Sequence, residues 1–567
     1  MISEKFSALS YQKQDYNTYE TAFKKHLKAF EEATTVEEQR DAMREIYKLG
    51  DEFSTNSSLV YIRHSVNTYD AFYEAEQTAL DNMRPMIQNL DLMYHKALTT
   101  SKFKKELIDI FGQQLFDKAA LTTKTINENI IEELQEENRL VSEYDKLIAS
   151  ASILFEGEER NLSGFAPFMQ STDRAMRKNA TDVRWLWYAS KKEQLDSIFD
   201  KLVKIRHTIA LKLGYKNFIE VAYARMGRTD YGAKEVAVFR KSIHENIVPL
   251  VVKLKERQRQ RLGLDRLEYY DQSFMYNSGN PTPKGDPDWI LENGKRMYDE
   301  LSEETKEFFS FMTQYELMDL VNKKGKQSGG YCTFLPTYKA PFIFSNFNGT
   351  SHDIDVLTHE AGHAFQAYNS RDFEVSEYYW ATSESSEIHS MSMEFFTWSW
   401  MELFFKEDTA KYKFEHLAGS LNFLPYGTAV DEFQHVIYEF PEMTPNERNK
   451  AWRDIEKKYL PFRNYEGIEY LNNGGFWQQQ GHIYASPFYY IDYVLAQVCA
   501  FQFWVRMQKD FKDAWKDYVT LCKAGGSKPF LELVELAKLK SPFQEETIKN
   551  TIENITAWLD SQDDSAY

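Results

Sequence analysis

Cysteine is scarce in this chain of 567 residues, with three in all, at Cys332, Cys499 and Cys522. An odd, widely spaced set excludes a disulfide framework and a CxxC metal or redox pattern, and it favours a reducing compartment. Positive charge is also short. Lys and Arg total 68 against 86 Asp and Glu, a net charge of -18, which argues against the basic stripe a nucleic-acid binder needs. Long apolar runs are missing too. Stretches such as Met393–Phe405 are broken by polar or charged residues, and MISEKFSALSYQ at the N-terminus has no apolar segment for export. The expectation is a cytoplasmic protein with no membrane anchor.

Proline is rare over residues 13–205, where apolar residues recur at three-four spacing between charged faces. That pattern predicts helices over 31–47, 69–93, 128–147 and 173–202, with a break at Gly157–Gly164. Asn277–Pro287, dense in Gly, Pro, Asn and Asp, reads as a loop. Tyr331–Phe334 and Phe342–Phe347 read as short strands, the only strand region expected, with Asn348–Gly349 as the turn that follows. Helices are expected again over 353–369, 383–405, 415–421, 428–438, 446–458 and 488–509. The fold class is therefore mainly α, with one small β-sheet. Aromatic residues make up 15% of the chain, including 35 Tyr and 40 Phe, enough for a packed core and a Tyr-lined cleft.

The strands lead into Thr358-His359-Glu360-Ala361-Gly362-His363. On a helix, imidazoles four residues apart share one face and can grip one metal ion, while the carboxylate between them reaches the side where an activated water sits. Zinc in a catalytic site needs a third protein ligand. Glu377, Glu384, Glu387, His389 and Glu394 on the next helix are all candidates, and Glu394 could instead support a zinc-bound imidazole. The strand beside this motif has an edge that an extended peptide could pair with. Asp431, His435 and Glu439 lie at i, i+4 and i+8, and read as carboxylates orienting a histidine.

His359-Glu360-Ala361-Gly362-His363, followed by Ser383-Glu384-Ser385-Ser386-Glu387-Ile388-His389-Ser390-Met391-Ser392-Met393-Glu394, resembles the thimet oligopeptidase superfamily, most of all its bacterial oligoendopeptidase F branch. In that family the third ligand precedes a serine by three residues and a second glutamate by seven. Glu387, Ser390 and Glu394 match, whereas Glu384 is followed at seven by Met391. The resemblance thus implies His359, His363 and Glu387 as ligands of one Zn2+ per chain. Ile388 departs from the small residue usual after that glutamate. The Tyr-rich segment Gly481-His482-Ile483-Tyr484-Ala485-Ser486-Pro487-Phe488-Tyr489-Tyr490-Ile491-Asp492-Tyr493 resembles the family segment that faces the metal. It implies His482 and Tyr493 as oxyanion donors, with Tyr489 favoured over its rivals Tyr490 and Tyr484 for a further hydroxyl. Tyr331-Cys332-Thr333 and Phe344-Ser345-Asn346 resemble the segment that pairs with substrate backbone.

The resemblance covers residues 200–540 well and the N-terminal helices more loosely. It implies two helical lobes around a deep channel, with residues 1–205 forming part of the channel wall and 206–567 the catalytic domain. The implied function is a zinc endopeptidase of short unstructured oligopeptides, monomeric or a weak homo-oligomer, with Glu360 as general base. A zinc carboxypeptidase or dipeptidyl carboxypeptidase on a similar fold is the alternative.

Overall fold

A computed structural model describes residues 2–567. Helices dominate, and local chemistry sets their ends. Thr35 and Glu38 form a reciprocal capping box that starts helix Val36–Val66 and parts it from Tyr16–Glu32. Periodicity alone runs one helix across that break, because an apolar stripe carries no record of a cap. The stretch expected as one helix over 173–202 likewise divides at Lys191 into Arg174–Ser190 and Lys192–Lys212. The opposite correction applies further on. Where two helices are expected over 415–421 and 428–438, a single helix runs from Thr409 to Glu439 through Pro425. At Gly427 a Cβ would stand 2.5 Å from Val494 Cγ2, so the glycine lets this helix lie close against Tyr490–Met507. Packing over so long a buried face outweighs the local cost of the proline.

The expected strand region exists but is not alone. Strands β1 (Ile153–Phe155) and β2 (Glu158–Arg160) pair antiparallel where a bare helix break was expected. Glu156 and Gly157, at φ 51° and 81°, supply the two left-handed residues that a tight hairpin turn requires. The second sheet has three strands: β3 (Met318–Val321), β4 (Tyr331–Leu335) and β5 (Ala340–Phe347). Their order is β3-β5-β4, parallel for β3·β5 and antiparallel for β4·β5. Phe342, Ile343 and Phe344 of the central strand are buried. β4 is left as an edge.

From β5 the chain turns directly into the helix of the histidine motif, His352–Ser370. The Asp353 carboxylate accepts hydrogen bonds from the Asn348 and Gly349 N–H groups at 2.9 and 2.8 Å, locking the sheet to the helix start. Behind the motif helix lies Ser383–Phe396. A Cβ on Gly362 would come within 2.6 Å of the His389 carbonyl oxygen and Ser390 Cα, so the two helices cross backbone to backbone at the site.

The main apolar core joins residues from Ile2 to Leu559, and a smaller one gathers Phe23, Phe30, Met43, Leu98 and Leu115 under Val375 and Tyr378. A cavity of about 750 Å³ is lined by Tyr61, Tyr144, Arg184, Asn348, Arg463 and His482 among others. Among the described residues, no helix is long and apolar enough to cross a membrane.

Candidate active site

The close helix crossing brings His359, His363 and Glu387 together. Glu387 Oε2 lies 3.2 Å from His359 Nε2 and 3.3 Å from His363 Nε2. Among the described residues, this is the one group of three or more metal-ligating side chains whose donor atoms converge. Ser390 Oγ donates to the same Glu387 oxygen at 2.9 Å, and the Tyr489 hydroxyl donates to the other at 2.5 Å. Burial alone would raise the Glu387 carboxyl, but the two imidazoles override it and hold it well below the usual range. Two nitrogens and one carboxylate oxygen, desolvated and aimed at one point, suit a divalent cation with an open position.

Glu394 supports this group from behind. Its Oε1 lies 2.7 Å from His359 Nδ1 and its Oε2 2.7 Å from His416 Nε2. The Trp398 indole N–H donates to His416 Nδ1 at 3.0 Å, so His416 carries its proton on Nε2 and donates to Glu394. His359 donates to Glu394 through Nδ1, which leaves its Nε2 lone pair facing Glu387. Burial would lift Glu394, yet the two histidine hydrogen bonds bring it down to about 2. His416 is a participant that the sequence pattern missed. It comes from Thr409–Glu439, and no spacing rule links that helix to the motif.

Glu360 is 6% exposed, and its Oε2 has no hydrogen-bond partner. Burial pushes its carboxyl above the ordinary range, the direction wanted in a proton acceptor. Gly330, just before β4, faces it. A Cβ there would stand 3.3 Å from Glu360 Oε1 and 3.1 Å from Val356 Cγ1, so a glycine keeps the space before the carboxylate open.

The Tyr-rich segment meets the site from the other side. Tyr426 OH donates to Gln480 Oε1 at 2.9 Å, which turns the Gln480 amide nitrogen toward His482 Nδ1, 2.8 Å away. His482 therefore carries its proton on Nε2, 3.2 Å from Tyr493 OH. Burial lowers His482 to about 4, so it is a neutral donor at physiological pH. Accepting from His482 leaves the Tyr493 hydroxyl proton available to a substrate. Tyr490 lines a cavity of about 560 Å³ with Glu360 and Tyr493. Tyr484 is fully buried and stacked on Tyr144 at 3.9 Å, away from the metal ligands.

Sequence similarity places these features in a known group. Residues 6–126 match the Peptidase M3 N-terminal domain, and residues 167–282 and 296–552 match Peptidase family M3. The chain belongs to peptidase family M3. Within it, the relatives point to the oligoendopeptidase F branch. Oligopeptidase PepF of Bacillus subtilis is 22% identical over 71% of this chain, an alignment spanning 62% of that protein. The oligoendopeptidase F homolog of Borreliella burgdorferi is 23% identical over 83% of this chain and 82% of its own length. Among solved structures, PZ peptidase A with an inhibitor is 56% identical at a TM-score of 0.98, covering 99% of this chain and all of that one (100%). A putative oligoendopeptidase F from Bacillus anthracis is 52% identical at a TM-score of 0.94, with 100% of both chains covered.

For this M3 metallo-oligopeptidase, the remaining candidates fall outside the cluster. Glu377 lies 3.4 Å from His95 Nε2, at the junction with the N-terminal helices. His389 is fully buried, and neither ring nitrogen finds a partner. Asp431 pairs with Arg240 at 2.5 Å and approaches His435 at 3.5 Å, whereas Glu439 is exposed; of the two carboxylates expected around His435, only Asp431 meets it. Glu384 is fully buried, and burial pushes it up to about 7. Near it lies Arg228, a second residue the sequence pattern missed. Buried Arg228 donates to Phe488 O and Asp492 Oδ1, both at 2.6 Å, while Gln434 Oε1 accepts from the Phe488 N–H at 2.8 Å. Phe488 has φ 66°, a left-handed conformation costly for a bulky residue. Held from both sides, this turn sets where Tyr489 and Tyr493 emerge.

Proposed function

We propose that this chain is a zinc-dependent endopeptidase that hydrolyses internal bonds of short, unstructured oligopeptides. The observation that carries the proposal is the convergence of His359 Nε2, His363 Nε2 and Glu387 beside Glu360, whose Oε2 is buried and unmatched. A His2Glu donor set with Glu394 hydrogen-bonded behind His359 fits zinc. When bound there, zinc polarises a carbonyl and acidifies a water.

The chain's own groups supply the rest. Glu360 takes a proton from the attacking water through its free oxygen as the new C–O bond forms. It then passes that proton to the leaving nitrogen as the C–N bond breaks. Tyr493 O–H donates to the carbonyl oxygen as negative charge builds on it, and His482 Nε2–H turns from the Tyr493 hydroxyl to the same oxygen. Tyr489, bonded to Glu387, holds that carboxylate in place. The β4 edge offers backbone groups to an extended peptide. Residues 1–205 provide one wall of the channel and residues 206–567 the catalytic machinery, so that folded proteins are excluded.

Metal analysis of the purified chain, followed by mass mapping of the products from a mixed peptide library, tests this reading. We expect one zinc per chain, internal cleavage products, loss of activity with a chelator and recovery on adding zinc back. Cleavage that a chelator leaves untouched, in a chain free of zinc, would refute it.

A further inference from the structure

Two cavities meet at His352 and His482, and their charged side chains differ in sign. The one of about 560 Å³ has Asp355, Glu360, Glu394 and Glu415 on its wall and no lysine or arginine among the described residues, although burial lifts Glu415 to about 8, so it is largely uncharged at neutral pH. The one of about 750 Å³ has Arg184 and Arg463 against a single carboxylate, Asp145. Burial lifts Asp145 to about 7, so at neutral pH it carries only part of a charge. A peptide lying across both cavities passes from a wall that carries carboxylates to one that carries arginines, and such charges act most strongly in enclosed, poorly hydrated clefts.

The arginines are not equivalent. Arg463 is matched by Glu456 at 3.1 Å. Arg184, on helix Arg174–Ser190, forms no ion pair among the described residues, in a chain of net charge -18. Its one hydrogen bond to the described residues runs from Nη2 to Gln479 Oε1 at 3.0 Å. The rings of Trp185 and Tyr188 lie 5.1 and 5.2 Å from its guanidinium carbon and brace the planar group. Gln479 begins the run Gln479-Gln480-Gly481-His482, so the same segment tethers the guanidinium and carries the imidazole of the site. Among the described residues, the other N–H donors of Arg184 have no acceptor. They form the planar fork that matches a carboxylate at two points.

We infer that Arg184 is a subsite for a carboxylate of the bound peptide. The subsite rests on the reading that this chain hydrolyses oligopeptides, and it narrows their class to peptides bearing an anionic group at a set reach from the scissile bond. The group is either the free C-terminus or an aspartate or glutamate side chain.

Matched neutral oligopeptides test this, each compared as free acid and amide and then with Asp against Asn at every position. The wild-type chain should favour the carboxylate member of at least one pair by about ten-fold or more in kcat/KM, the scale of a charge-assisted bidentate contact. Arg184→Met should abolish that preference, and Arg184→Lys should keep part of it, since lysine retains the charge but loses the fork. Gln479→Met, which only removes the tether, should weaken it in the same direction and guards against a misfolded Arg184→Met. A preference confined to the free acid assigns the C-terminus; one that moves with Asp assigns a side chain. Equal turnover within every pair, or a preference that survives Arg184→Met, overturns the subsite while leaving peptide hydrolysis standing. No cleavage of any peptide by the zinc-loaded wild-type chain overturns the underlying reading, and the subsite with it.

Discussion

Glu360 carries a buried oxygen that no described residue satisfies. Such an atom costs about 1–3 kcal/mol, and the cost is tolerated where a proton or ligand meets the group during function. Glu360→Gln keeps the shape and removes the basicity. It should retain one zinc by metal analysis and lose about 10²–10⁴ in kcat, the range for a positioned acid–base group; full turnover with stoichiometric zinc would take Glu360 out of the chemistry. The tyrosines allow a finer comparison. Tyr493→Phe removes a hydroxyl whose proton the His482 bond leaves free, and kcat should fall about 10²–10³ with little change in KM. Tyr484→Phe removes a hydroxyl sealed in the stack on Tyr144, and its kcat should match the wild type. Equal losses in the two variants would show that the effect is one of folding and not of oxyanion binding.

At the scale of elements, the crossing of the motif helix with Ser383–Phe396 is what makes a site of separate residues. Gly362→Ala puts a methyl carbon 2.6 Å from backbone atoms of the second helix, and backbone cannot swing aside as a side-chain tip can. Chemical denaturation should report a loss of about 1–3 kcal/mol, with weaker zinc retention because His363 shifts relative to Glu387. Gly50, inside helix Val36–Val66, has nothing within 4 Å of an added Cβ, so Gly50→Ala should stabilise by about 0.5–1 kcal/mol. The contrast separates steric exclusion from helix propensity. It also marks what was legible beforehand. The i, i+4 histidines, the strand pair before them and the long amphipathic helices follow from periodicity, which a sequence displays directly. The caps at Thr35 and Lys191, the unbroken helix through Pro425 and the hairpin at Glu156–Gly157 depend on reciprocal bonds or tertiary packing that periodicity does not encode. His416 and Arg228 reach the site from helices and loops far along the chain, so no local pattern could nominate them. Glu387 could be singled out from its neighbours only by resemblance, since helical spacing left several carboxylates open.

At the scale of the whole molecule, one buried carboxylate ties the N-terminal helices to the segment that carries His482. Glu137, on Ile131–Ala149, meets Arg206 at 2.6 Å and Arg225 at 2.9 Å. Arg206 in turn donates to Tyr484 O at 2.5 Å and to Tyr438 OH at 2.9 Å. Burial would raise Glu137, but Arg225 and Arg206 override it and bring it from 4.5 down to about 2. Because the folded-state value is the lower one, the ionised pair stabilises the fold above the unfolded value and ceases to do so as pH falls through the folded one. A shift of this size corresponds to about 3 kcal/mol. Glu137→Gln should therefore be markedly less stable at neutral pH, since it also leaves buried Arg206 without its counter-charge. The gap in unfolding free energy between wild type and variant should stay level above roughly pH 6 and narrow steadily toward pH 2. Denaturant unfolding at a series of pH values measures that gap. If it were flat across the whole range, Glu137 would titrate alike in both states, and the cohesion between the N-terminal helices and the His482 segment would rest on contacts other than this ion pair.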